Sequence, residues 1–118
     1  MSRTATAMKA LVATELERIP EVACKNRLAE RLVEPSFVAL AWEFGAIGAT
    51  RMCCVVARLD DGDQALVYCE DGFGPRESWG AVSLSAASMG SDDQWFISLY
   101  DAAIAAGLCA APAGYEVP

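Results

Sequence analysis

The chain contains no histidine at any of its 118 positions. That removes the commonest general base, proton shuttle and metal ligand together. A Ser-His-Asp or Cys-His catalytic arrangement is therefore impossible within the chain. Lysine is nearly as scarce, with none after Lys25. Residues 1–34 hold six bases and five acids, whereas residues 35–118 hold three bases and eleven acids. With a net charge of −7, the chain lacks the basic footprint that displaces counterions from nucleic acid. An anionic membrane surface would repel it for the same reason. Long apolar runs are missing too. The longest, residues 52–57, is far too short to span a bilayer, and the N-terminus has no apolar segment followed by a cleavage site. A cytoplasmic protein is expected. There is no CxxC pair, which argues against zinc.

What is present is apolar: 54% hydrophobic and 21% charged residues. A chain of this size is one domain and needs no metal or disulfide staple. Its apolar share invites self-association. Five cysteines stand at positions 24, 53, 54, 69 and 109. An odd number without a secretion signal reads as free thiols.

Periodicity sets the elements. Met8, Leu11, Val12, Leu16 and Ile19 recur at helical steps, which predicts a helix over residues 4–18. A second stripe, Cys24, Leu28 and Leu32, predicts another helix that stops near Val33, because Pro35 forces Glu34 into an extended conformation. Strands are expected at 37–44, 51–59, 64–70 and 79–85, with Asp61-Gly62 as a hairpin turn. Ser91 and Gln94 form a capping-box pattern with Asp92 and Asp93 between them. They predict a final helix from 91 to Gly107, whose left-handed freedom suits a helix end. The tail from about 110 is expected to be loosely held. The fold class is thus a single α+β domain in ααββββα order. It is a four-stranded antiparallel meander with two N-terminal helices and one C-terminal helix packed on it.

Centring the hairpin on Asp61-Gly62 places Cys54 opposite Cys69, Val56 opposite Val67 and Cys53 opposite Glu70. Both faces of this hairpin are apolar, so both need cover. Helices divided between the faces would supply it, as would helices on one face and a partner subunit on the other. Cys54 and Cys69 could act as a redox pair or as part of a soft metal site, but buried small hydrophobes explain them more simply. Asp60, Asp61 and Asp63 are explained by turn preference, and the Gly72–Gly74 stretch by an ordinary loop.

Six aromatics, Trp42, Phe44, Phe73, Trp79, Trp95 and Phe96, cluster in pattern rather than in sequence. Trp95 and Phe96 read as core. Trp42, Phe73 and Trp79 are the candidates for an aromatic-lined cleft, with Glu43, Glu70, Asp92 and Asp93 as polar contacts and Arg76 as a charge partner. No catalytic residue, metal or cofactor is assigned. An enzyme reading would need a carboxylate working with Tyr68 or Tyr100.

The stretch Met89-Gly90-Ser91-Asp92-Asp93-Gln94-Trp95-Phe96, followed by Leu99 and Ala102-Ala103, resembles small proteins carried on mobile elements, such as integron gene-cassette products and some toxin-immunity proteins. The resemblance implies no site residue. The functional expectation is an acidic, homodimeric binding module with a cationic protein or a small molecule as further partner. The alternatives are a small-molecule domain with an aromatic cleft and a toxin-immunity-type protein.

Overall fold

The computed structural model describes residues 4–73 and 76–116. Helix α1 (Ala5–Glu17) is capped by Thr4, whose side chain accepts from the Ala7 N–H. Helix α2 (Val22–Arg31) runs directly into strand β1 (Leu32–Ala41). Strands β2 (Thr50–Arg58), β3 (Gln64–Tyr68), β4 (Trp79–Ser83) and β5 (Trp95–Phe96) follow, with helix α3 (Leu99–Ala105) at the end. All neighbours pair antiparallel in the order β1-β2-β3-β4-β5. The architecture is α+β with an antiparallel meander, as the sequence implies. Among the described residues, no helix is long and apolar enough to cross a membrane.

The sheet has five strands instead of four because the last helix starts late. The capping pattern at Ser91 is real, and the Ser91 N–H donates to Gln94 Oε1 at 3.1 Å. It closes only a single 3-10 turn, Asp92–Gln94. Trp95 and Phe96 then add to the edge of β4, opposite Gly80 and Trp79. The Trp95 ring lies on Gly80, where a Cβ would come within 2.8–2.9 Å of the ring. Its indole N–H donates to the Met89 carbonyl at 2.7 Å. The helix restarts at Ser98, whose hydroxyl accepts from the Asp101 N–H. Buried Glu15 of α1 accepts from the Leu99 N–H at 2.9 Å and so caps α3 from another helix. Gly107 ends α3 at φ +81°, as its position predicts.

The central hairpin departs from the expected register at one residue. Arg58 faces Ala65 and Ala57 faces Leu66, but Val55 faces Val67 and Cys54 faces Tyr68. A bulge at Val56 absorbs the difference. It lets Val56 and Ala57, consecutive residues, both enter the helix-side core, while Val55 joins the core on the other side. Cys69 is thereby moved from Cys54 to Cys53.

Two cores result. On one face α1, α2 and α3 bury Met8, Val12, Leu28, Val56, Leu66, Trp79 and Leu99. On the other, Cys53, Val55, Ala65, Val67 and Val82 are each at most 1% exposed. Among the described residues no α-helix covers that second face. Met89 from the connection after β4 and Trp95 of β5 pack there with Trp42 and Phe73. The middle of the sheet therefore needs neither a partner subunit nor helices divided between its faces.

The reading of the cysteines as free thiols is also corrected. Cys24 of α2 and Cys109, just beyond α3, lie with Cα atoms 5.2 Å apart and form a disulfide. Cys53, Cys54 and Cys69 are free and buried. An odd count fixes only that at least one thiol is left over. Which pairs form depends on Cα proximity, here between residues 85 apart in the chain. Closing so long a loop is worth about 2–4 kcal/mol. Replacing Cys24 and Cys109 by serine together should lower the unfolding free energy by about that amount in urea denaturation. A variant with unchanged stability would show that the bridge contributes nothing.

Candidate functional site

The least sheltered apolar surface lies at the end of the sheet where β1 turns into β2. Residues 42–49 form a compact loop held by backbone bonds from Trp42 N–H to the Ala49 carbonyl (2.8 Å) and from Ala49 N–H to the Ala46 carbonyl (2.9 Å). Gly48 supplies the left-handed residue at φ +82°. A hollow of about 370 Å³ sits against this loop, lined by residues including Trp42, Glu43, Ile47 and Thr50. Ile47 is fully exposed and Phe44 is 65% exposed.

Trp42 organises this end. Its ring centroid lies 4.9 Å from Phe73 and 5.3 Å from Phe44. Phe73 continues the cluster to Trp95 at 6.0 Å. The Arg51 guanidinium stands 3.7 Å from the Trp42 centroid, a cation–π contact. The same guanidinium donates to the carbonyls of Asp71 and Gly72, both at 2.7 Å. Arg51 thus ties the turn after β3 to the β1–β2 loop. Strand alternation explains why these groups meet. Leu40 pairs with Arg51 and Ala41 with Thr50, so Trp42 and Arg51 emerge on one face.

Of the residues predicted to form a cleft, Trp42 and Phe73 come together and Trp79 does not. Trp79 faces Tyr68 across β3–β4, and Tyr68 faces Cys54 across β2–β3. That row belongs to the helix side. Trp79 is 4% exposed and packs on Tyr68 at 4.8 Å. Glu43 is exposed and accepts from the Ser88 hydroxyl at 3.0 Å. Glu70 accepts from the Tyr68 hydroxyl at 2.6 Å, away from Trp42's side of the sheet. Arg76 is exposed in the β3–β4 connection. Arg51 is the residue that sequence reading missed. The parity of β1 against β2 was the signal that could have found it.

The thiols divide between the faces. Cys54 lies on the helix side, where burial pushes it up to about 11. Cys53 and Cys69 lie together in the core of the other face. The neighbouring Cys69 thiol, followed by burial, raises Cys53. The neighbouring Cys53 thiol, with the backbone N–H groups of Asp71 and Gly72, holds Cys69 below the ordinary thiol range against the opposing effect of burial.

Around α3, carboxylates meet tyrosines. The Tyr100 hydroxyl donates to Glu21 at 3.1 Å, and the Tyr115 hydroxyl donates to buried Asp101. The two rings contact at 5.6 Å. Burial first, then Glu21, pushes Tyr100 upward. Asp101 raises Tyr115 to about 12. Each buried carboxylate serves the fold: Glu15 caps α3, and Asp101 anchors the segment that carries Tyr115.

The Tyr115 shift fixes a pH window. A hydroxyl raised in the folded state from 10 to about 12 contributes stability that is fully present below pH 10. That contribution disappears as pH rises through the folded value. Tyr115→Phe should cost roughly 1 kcal/mol at neutral pH. The gap from the native chain should close between about pH 10 and 12. Urea midpoints measured across that range check this, and a gap that stays constant to pH 12 contradicts it.

No family model matches the chain, and no curated protein or solved structure matches it.

Proposed function

We propose that the chain is a non-enzymatic interaction module that associates with a second copy of itself through the outer edge of β1. One observation carries this reading: that edge is open and uncharged over residues 36–40, and apolar from Phe37 to Leu40. Ala41 turns its N–H and carbonyl away from β2, bonding Ala87 O at 2.9 Å and Met89 N at 3.0 Å. By alternation, Ala39 and Phe37 turn theirs the same way. No described strand pairs with them. Exposed edges are ordinarily blunted by Lys, Pro or a bulge. Here Pro35 bounds the opening at one end and the 87–89 segment bounds it at the other. Between them there is no charged side chain.

The side chains support the same reading. Among the described residues the exposed large apolar side chains are Val22, Phe37, Phe44, Ile47 and Met52. All but Val22 lie on β1, β2 or the loop joining them. Phe37 and Met52 share the helix-side face, in successive rows. Antiparallel pairing of β1 with its two-fold mate would satisfy the edge and cover both. A toxin-immunity-type role is a narrower form of this reading. The acidic balance of residues 35–118 supports a cationic protein as its further partner.

Sedimentation velocity across a concentration series tests the association. The native chain should run as a dimer at micromolar concentration. Ala39→Pro, which removes an outward N–H, and Phe37→Glu should each shift it to monomer while far-UV circular dichroism stays native. A strictly monomeric native chain at high concentration overturns the reading. So does a dimer indifferent to both substitutions.

A further inference from the structure

Cys53 and Cys69 carry an inference independent of the β1 edge. Beyond the bulge at Val56, the register of the Cys54–Tyr68 pair carried one step past the end of β3 sets them opposite each other. The Cys69 N–H donates to the Ser78 carbonyl at 2.9 Å, so its backbone polar groups turn toward β4. Opposite Cys53 it therefore occupies a non-hydrogen-bonded position of the β2–β3 ladder. At such positions Cα atoms lie about 4.5 Å apart and side chains approach most closely. That spacing falls inside the range of about 4.4–6.8 Å that a disulfide spans. Both residues belong to the same buried cluster.

The turn after β3 is shaped around one of them. Gly72 N–H donates to the Cys69 carbonyl at 3.1 Å and closes the turn. A side chain at Gly72 would collide with the Glu77 carbonyl, 2.0 Å from its Cβ. With glycine there, the turn keeps the backbone N–H groups of Asp71 and Gly72 beside Cys69. Such paired amides favour a thiolate. Arg51, bound to the carbonyls of the same two residues, adds positive charge beside Cys53. Cys54 has none of this and lies on the other face.

We propose that Cys53 and Cys69 are a reactive dithiol that a small hydroperoxide converts to a cross-strand disulfide, with Cys69 as the attacking sulfur. The Cys69 thiolate attacks the terminal peroxide oxygen. An S–O bond forms and the O–O bond breaks, leaving a sulfenic acid. The released alkoxide or hydroxide takes up the proton that Cys69 had shed. The Cys53 sulfur then attacks the sulfenic sulfur. The S–S bond forms, the S–O bond breaks, and the departing hydroxyl leaves as water with the Cys53 proton. Two thiols are oxidised by two electrons, and the peroxide is reduced to an alcohol, or water, plus water. Both residues are 1% exposed, which restricts the oxidant to this small class.

Hydrogen peroxide, in small excess over the full chain, is the test. Thiols titrated in denaturant should fall from three per chain to one. Peptide mapping should find Cys53 joined to Cys69 and Cys54 still free. Cys54→Ser should leave the reaction unchanged, and Cys69→Ser should protect Cys53. Three thiols surviving peroxide overturn the proposal, as does a new bond that includes Cys54. If Cys69→Ser does not fold, the thiol count and map of the native chain decide alone.

Discussion

The β2–β3 hairpin is apolar on both sides, and everything else in the molecule is arranged to keep both sides dry. Val55, Val67 and Val82 are each almost wholly buried on the face that has no helix. Burying a valine is worth roughly 1.5–3 kcal/mol. Exposing all three would cost about what a whole domain of this size has to spare. The chain meets this demand unevenly. Three helices cover one face, and Met89 from the connection after β4 with Trp95 of β5 covers the other. The Trp95 ring can settle there because Gly80 presents no side chain beneath it.

A single inserted residue shapes much of the chemistry. Without the bulge at Val56, Cys69 would face Cys54 and Cys53 would face Glu70, as strict two-residue alternation requires. With it, two thiols meet on the dry face and Cys54 is left alone among the helices. The same bulge lets Val56 and Ala57 both pack under the helices.

Local signals were legible, and long-range ones were not. The stripes of α1 and α2, the Asp61-Gly62 turn and the three long strands after β1 follow from period and punctuation within a few residues. The β1 start at Leu32 did not, because a leucine at helical spacing also suits the first residue of a strand. Trp95 and Phe96 read as helix because the capping pattern before them is authentic. What overrides it is a sheet edge and a glycine fifteen residues upstream. The site was half legible. Aromatic character marked Trp42 and Phe73, but the face on which Trp79 emerges depends on the register of two intervening strands. Arg51 acquires its role only once Trp42, Asp71 and Gly72 surround it. The Cys24–Cys109 bridge depends on packing between segments 85 residues apart.

The disulfide also bears on the expected compartment, since a persistent bridge is most at home where thiols are not kept reduced. The chain's own shelter of its sheet bears on the role assigned to the β1 edge. Association there adds a strand beside β1 and leaves the β2–β3 core as it is. Native-state hydrogen exchange separates this from a core that needs its partner. If one chain covers both faces, the amides of Val55 and Val67 exchange only through global unfolding, and the dilute monomer keeps them strongly protected, with only the increment from association itself lost on dilution. Protection at Val55 and Val67 that collapses on dilution to monomer would contradict the account.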